Sequence, residues 1–263
     1  MKNQNSPPHN FLLANLDQIN SLNQRGGRML SIIDLISRKT IPVSLAAYLA
    51  MHILEGCNIL TAAMPGGAGK TAIMGAFMGV LPAKYKISTI ENEIFARNLE
   101  KGHEQTPIAY VIHEIGQGHW YGYLWGRPVL KAIESLDGYT KLFTNMHPDT
   151  IEDIYSTFDG FGSQQKIQIF DFIIIIRLYS TEPRHRIHEV WQTNNSYHSK
   201  YDGVKFHAPI YTESDGLTKG VIEDLPDELK EKYHNLIEFI NRLLNEGVFL
   251  IEEVAKRIQE LLG

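Results

Sequence analysis

The chain has 263 residues, with 25 Lys and Arg against 30 Asp and Glu, giving a formal charge of −5. Its 43% hydrophobic and 21% charged residues describe a soluble globular protein of one or two domains and exclude a disordered or collagen-like chain. The mildly acidic balance gives no global reason to expect a nucleic acid partner, and none is expected. The single cysteine, Cys57, excludes an intramolecular disulfide and any multi-cysteine metal site, and reads as a buried structural thiol in a reducing compartment. The most apolar run, Ile169 to Ile176, is far shorter than the roughly 20 residues of a spanning helix, and MKNQNSPPHN has no apolar signal core. Neither a membrane span nor a leader is expected, which points to the cytoplasm.

In chain order, a polar opening ends at Pro7 and Pro8, and Phe11, Leu12, Leu13, Leu16 and Ile19 then recur at helical spacing. Arg25-Gly26-Gly27-Arg28 interrupts that pattern as a linker, before Met29 to Ile36 resumes as a short helix or a strand. Pro42 to Leu54 places its apolar residues on one face of a helix, with Ser44 near its start. Asn58 to Ala63 is a short apolar strand, followed by a proline and glycine break and a helix over Thr71 to Leu81.

Buried strands are predicted at Tyr85 to Glu91, Ile108 to Ile112, Lys141 to Thr144 and Gln168 to Leu178, with room between them for crossover helices. Continuous apolar strands alternating with helices predict an α/β fold: a mostly parallel sheet with helices on both faces. The short gap STEPRHR predicts that His188 to Gln192 adds an antiparallel edge strand. Asn194 to Leu217 reads as a polar and aromatic surface excursion, and Pro226 to Leu262 as two helices broken at Gly247. The chain thus divides into residues 1–24, a tail and short helix; 25–225, an α/β core; and 226–263, a helical end packed on the core.

The most specific feature is Pro65-Gly66-Gly67-Ala68-Gly69-Lys70-Thr71-Ala72, between a strand and a helix. A glycine-rich loop entering a helix N-terminus aims successive backbone N–H groups at one point, where the helix dipole adds positive potential, so phosphate is its natural occupant. In this pattern Lys70 reaches the β and γ phosphates and the Thr71 hydroxyl coordinates Mg²⁺, with ATP as the nucleotide. The strict pattern has glycine at position 64, where this chain has Met64.

A nucleotide hydrolase also needs a carboxylate at the carboxyl end of a neighbouring strand, to hold Mg²⁺ through water or to polarise the attacking water. Two strand ends qualify: one leads to Glu91 and Glu93, the other to His113 and Glu114. His147 ends a third predicted strand, where its imidazole would contact a γ-phosphate or, as the plainer reading, cap a turn. Asp149 and Thr150 fit the N-cap of the next helix. His113 with His119 and His185 with His188 invite zinc, but neither pair has the spacing of a helical zinc site or an evident third ligand. Arg177, Arg184 and Arg186 are candidates to pair with phosphates across a subunit boundary, or form a solvated basic turn. Trp120, Tyr121, Tyr123 and Trp125 are expected to pack in the interior, an exposed partner surface being the alternative.

Taken in order, these pieces resemble the ATPase domain of the secretion superfamily: the type II and type IV secretion ATPases, pilus motors and the archaeal flagellar motor. LAAYLAMHILEGCNILTAAMPGGAGKT (45–71) is similar to that family's helix, strand and phosphate loop, and Ser88 to Glu93 to its aspartate box, with Glu91 on the acidic position. Tyr110 to Ile115 resembles its Walker B segment, with Glu114 on the glutamate position; Thr144 to His147 resembles its histidine box, and Phe239 to Leu262 its helical end. The likeness runs from about Arg25 to the C-terminus, so the separate N-terminal domain that usually precedes this one has only about 24 residues in its place. Where the family usually has two arginines between the aspartate box and Walker B, this chain offers Arg97.

The resemblance implies a RecA-like P-loop fold, Mg-dependent ATP hydrolysis with Glu114, Glu91 and His147 as catalytic residues, and a homo-oligomeric, hexameric ring. It implies a membrane protein complex as partner, to which a cytoplasmic ATPase binds peripherally. The missing arginines motivate the alternative of a nucleotide-dependent regulatory module with little or no hydrolysis; a small-molecule kinase ranks third.

Overall fold

The computed structural model describes residues 10–23, 26–64, 66–118, 120–194 and 206–262. The first predicted helix is α1 (Leu12–Ser21) and the segment after the Arg-Gly-Gly-Arg break is a helix, α2 (Ile32–Ser37), closed by a reciprocal Ser31–Asp34 capping box. The helix α3 (Val43–Glu55) leads into β1 (Ile59–Ala62), the glycine-rich segment and α4 (Lys70–Met78). Next come β2 (Lys86–Thr89), α5 (Glu93–Ala96), β3 (Ile108–Ile115), the two-residue β4 (Tyr123–Leu124), α6 (Arg127–Ser135), β5 (Thr140–Met146) and α7 (Ile151–Gly160). The chain continues through β6 (Phe172–Leu178), β7 (His185–Thr193), β8 (His207–Thr212), β9 (Gly216–Leu217), α8 (Lys219–Glu223), α9 (Asp227–Glu246) and α10 (Ile251–Leu262).

The strands form one sheet in the order β2-β3-β5-β1-β6-β7-β8-β9, with β4 pairing the end of β3. From β2 to β6 every pairing is parallel, and from β6 onward every pairing is antiparallel. The parallel strands are buried on both faces, as expected for a sheet whose crossovers carry helices. One face places Val111, Phe143 and Ile174 against α1, α2, α3, α4, α9 and α10; the other places Tyr110, Leu142 and Ile173 against α6 and α7. Thr150 caps α7 by accepting the Asp153 N–H at 3.2 Å, as its position in the sequence suggested. Gly247 sits at φ +70° in the left-handed region and ends α9, so that Phe239, Ile240 and Leu243 on α9 and Val254 and Ile258 on α10 enter the same core. Cys57 is buried, and burial pushes its thiol up, away from the reactive thiolate.

Several expectations are corrected. The run from Gln168 does not enter the sheet at once: Gln164–Ile169 is a 3-10 helix, and the strand begins at Phe172. Asp171 marks the change, its carboxylate accepting the Asn58 N–H at 2.7 Å, while Ile167 and Phe170 bury beside α7. The antiparallel strand β7 is longer than predicted and is not an edge, because β8 and β9 extend the sheet beyond it. The predicted excursion after Asn194 therefore contains two strands; its residues 195–205 lie outside the described residues, as do His119, Pro65, Arg25 and the opening Pro7 and Pro8. Trp120, Tyr121 and Trp125 are 71%, 55% and 40% exposed, not interior, because β4 pairs only with β3 and leaves their side uncovered. Among the described residues no helix is long and apolar enough to cross a membrane.

Candidate functional site

The carboxyl ends of β3, β5 and β1 lie side by side in the sheet, and α4 begins a few residues after β1. Gly69 is the N-cap of α4 at φ +92°, ψ 9°, a backbone conformation that L side chains resist and that lets the chain turn into the helix within one residue. The first N–H groups of α4 are left without helical carbonyl partners there. The loop borders a cavity of about 250 Å³ whose lining includes Gly66, Gly67, Ala68, Gly69, Lys70, Thr71 and Ala72. From the neighbouring strands the same cavity receives His113 and Glu114 of β3, Tyr123 of β4 and His147 just past β5.

Lys70 is buried, and its ammonium donates to the Ala63 carbonyl at 3.3 Å. It also lies 3.4 Å from His147 Nδ1 and 3.5 Å from Glu114 Oε1. His147 Nε2 lies 3.3 Å from that same Glu114 oxygen, which closes a triangle of ammonium, imidazole and carboxylate. The neutral imidazole with its proton on Nε2 suits both neighbours, facing the carboxylate with an N–H and the ammonium with a lone pair. Glu114 is nearly inaccessible, and no hydrogen bond reaches its Oε1 among the described residues. Lys70 and His147 both face that oxygen at ion-pair distance, and it still has capacity for a closer donor.

Glu114 reaches this position through an irregularity in β3. Along that strand Ala109 and Val111 pack on the α4 face of the sheet, and Tyr110 and Ile112 on the opposite face. Continued alternation would send Glu114 to the side of Ile112, away from the loop. Instead the β3–β5 register shifts between Ile112, opposite Thr144, and Ile115, opposite Met146, so His113 and Glu114 together oppose Asn145. This is a β-bulge, and Ile115 resumes on the Ile112 face. Both bulged side chains emerge on the α4 face: His113 Nε2 lies 3.4 Å from the Leu22 carbonyl of the α1 end, and Glu114 meets Lys70. Burial lowers the His113 pKa, and the Leu22 carbonyl opposes that in part.

The wall facing the loop comes from the N-terminal segment: Leu22, Asn23, Arg28 and Met29. In the sequence this stretch reads as a linker, and the signal for Arg28 is Ser31 with Asp34, whose capping spacing places a buried carboxylate near it. The Arg28 guanidinium grips Asp34 with two parallel contacts of 2.6 and 2.5 Å, and Asp34 also accepts the Ser31 N–H at 3.0 Å. Burial pushes the Asp34 carboxyl up, but Arg28 and Ser31 outweigh it and hold the pKa below the ordinary range, while Asp34 raises that of Arg28.

The remaining predicted residues stand elsewhere. Glu91 is exposed at the end of β2, accepts the Tyr121 hydroxyl at 3.2 Å, and does not line the cavity. Arg97 pairs with Glu93 at 3.7 Å on the surface, and Arg177 and Arg184 are exposed. Arg186 is engaged by Glu213 at 2.8 Å and lies over the Tyr179 ring. None of these four arginines lines the cavity. The His185 ring packs beside the loop, not toward His188 in a zinc pair: a Cβ on Gly69 would lie 3.8 Å from it.

Together, a glycine-turned loop, a buried lysine, a bulge-aimed glutamate and a histidine line one cavity at the strand ends of an α/β sheet. No protein-family model matches the sequence, and no curated protein matches it. Solved structures that resemble it include two ATPases. One is the VirB11 ATPase of the Brucella suis type IV secretion system in complex with sulphate, at 15% identity over 60% of this chain and 58% of that one, with a TM-score of 0.36. Another is the Legionella pneumophila ATPase DotB, at 9% identity over 89% of this chain and 66% of that one, with a TM-score of 0.42. The chain spans less than two thirds of either, and at such identities and TM-scores neither lends its activity or assembly to this protein.

Proposed function

We propose that this protein is a RecA-like P-loop ATPase that binds Mg-ATP and hydrolyses it. The observation that carries the reading is the convergence of Gly66 to Ala72, Lys70, Glu114 and His147 on one cavity. The loop amides and the α4 N-terminus hold the phosphates, Lys70 meets the terminal ones, and Arg28 on the facing wall donates its remaining N–H groups to them. Glu114 orients the attacking water and accepts its proton as oxygen bonds to the γ-phosphorus, while the bond to ADP breaks. His147 bridges that carboxylate to Lys70 and is placed to contact the γ-phosphate. Glu91, hydrogen-bonded to Tyr121 beyond the cavity, takes no part within one chain.

The donor set fits magnesium: the Thr71 hydroxyl and the Glu114 carboxylate are hard oxygen ligands on the same cavity, and Glu114 Oε1, near Lys70 and His147, completes no hydrogen bond with either. When bound, Mg²⁺ neutralises phosphate charge. The sequence resemblance extends the reading to a hexameric motor of the type II or type IV secretion or pilus kind, cytoplasmic and attached to a membrane complex through a partner. One observation favours the alternative of a nucleotide-dependent regulatory module: Arg97, Arg177, Arg184 and Arg186 all lie off the cavity.

Phosphate release from Mg-ATP beside Glu114→Gln separates the two. The expected result is turnover in the wild type and a loss of at least about a hundredfold in the variant with nucleotide binding retained. Tight binding without turnover in both establishes the regulatory module instead.

A further inference from the structure

Glu114 is useful to a nucleotide only on the α4 face of the sheet, and a bulge puts it there. A bulge in a buried strand has to be held, because the regular ladder offers more backbone hydrogen bonds and a shift of one residue sends every side chain to the other face. The residue opposite the bulge is Asn145, which is fully buried in β5. Its Nδ2 donates to the His113 carbonyl at 2.8 Å, which is the backbone group of the first bulged residue. Its Oδ1 accepts the hydroxyl of Thr61 on β1, the strand that feeds the phosphate loop. Thr61 is fully buried too, so no solvent replaces either contact.

We propose that Asn145 is the positioning residue that holds the His113–Glu114 bulge and so sets the general base, acting through the His113 carbonyl and indexed to the loop by Thr61. Asn145 itself does not line the cavity. A hydrophobic residue at 145 would leave the His113 carbonyl unpaired and free the strand to slip toward regular pairing, which carries Glu114 away from Lys70 and His147. The kinetic consequence rests on Glu114 acting in hydrolysis; the structural one does not.

The test uses the full chain as Asn145→Ala and as Asn145→Leu, the second keeping the volume should the first fold poorly. Crystal structures of both read the Glu114 carboxylate directly. It is expected to leave Lys70 and His147, and its staying on both in either variant overturns the proposal. In solution, phosphate release is expected to fall about a hundredfold while affinity for a fluorescent ATP analogue changes only a few-fold. A merely structural residue would move binding and turnover together, and that result also overturns it. Adding Glu114→Gln to Asn145→Ala is expected to cost little beyond Glu114→Gln alone, whereas additive losses refute an action through Glu114. If wild-type protein binds ATP without releasing phosphate, the hydrolytic reading fails and the crystal structures alone decide the role of Asn145.

Discussion

Replacing Arg28 by alanine separates two roles that its guanidinium holds at once. Two charge-assisted contacts to Asp34 would be worth roughly 1.5–3 kcal/mol each if buried. Arg28 is 43% exposed, however, and Asp34 keeps the Ser31 N–H, so solvent screening cuts the net stability loss to about 1 kcal/mol. That amounts to a few degrees in melting temperature for a chain of this size. The effect on ligand is expected to be larger: losing one charge-assisted contact to phosphate weakens nucleotide binding roughly ten- to hundredfold. Arg28→Lys keeps the charge but not the fork, and should recover only part of either loss. Calorimetric titration with Mg-ATP, run beside thermal melts, reads both. Unchanged affinity together with the expected small destabilisation would refute the phosphate role and leave Arg28 as a brace for the α2 cap.

Gly69→Ala meets no clash, since its Cβ would make ordinary contact with the His185 ring at 3.8 Å, but φ +92° strains it by about 1–2 kcal/mol. The loop should relax and nucleotide affinity fall with little loss of stability; an unchanged titration contradicts the conformational argument. His207 is fully buried, with Nδ1 2.7 Å from the Tyr155 hydroxyl and Nε2 2.8 Å from the Phe170 carbonyl, and burial pushes its pKa down to about 4. The unfolded chain takes the proton near pH 6.5, so this contribution is full above that pH and lost as pH falls towards 4, on the order of 3 kcal/mol. Urea midpoints should drop over that interval and drop less in His207→Asn; equal slopes would remove the role of His207.

Much of the architecture was legible because periodicity and punctuation agree locally. α1, α3 and β1 follow from apolar spacing, and Gly66 to Thr71 announces its own conformation, since glycine at 69 is what a left-handed entry into α4 requires. Glu114 was identified as the end of an apolar strand, but its direction was not legible. Strict alternation points it to the wrong face, and the correction comes from Asn145 thirty-one residues later. Arg28 was hidden for a related reason: its place on the cavity wall depends on how the N-terminal segment packs across the strand ends. β8 and β9 escaped because His207 and Pro209 disguise a short strand whose burial comes from Tyr155 and Phe170, contacts far apart in the chain. The Trp120 cluster failed the other way, because aromatic composition suggested burial where β4 leaves one side open.

The central claim is that the loop and Lys70 form a nucleotide site that turns over. Steady-state phosphate release from Mg-ATP by the purified chain and by Lys70→Ala, with bound nucleotide quantified in the same samples, tests it most directly. Binding and turnover in the wild type, both lost in the variant, are the predicted outcome. Equal turnover in the two proteins, or binding absent from both, would contradict it.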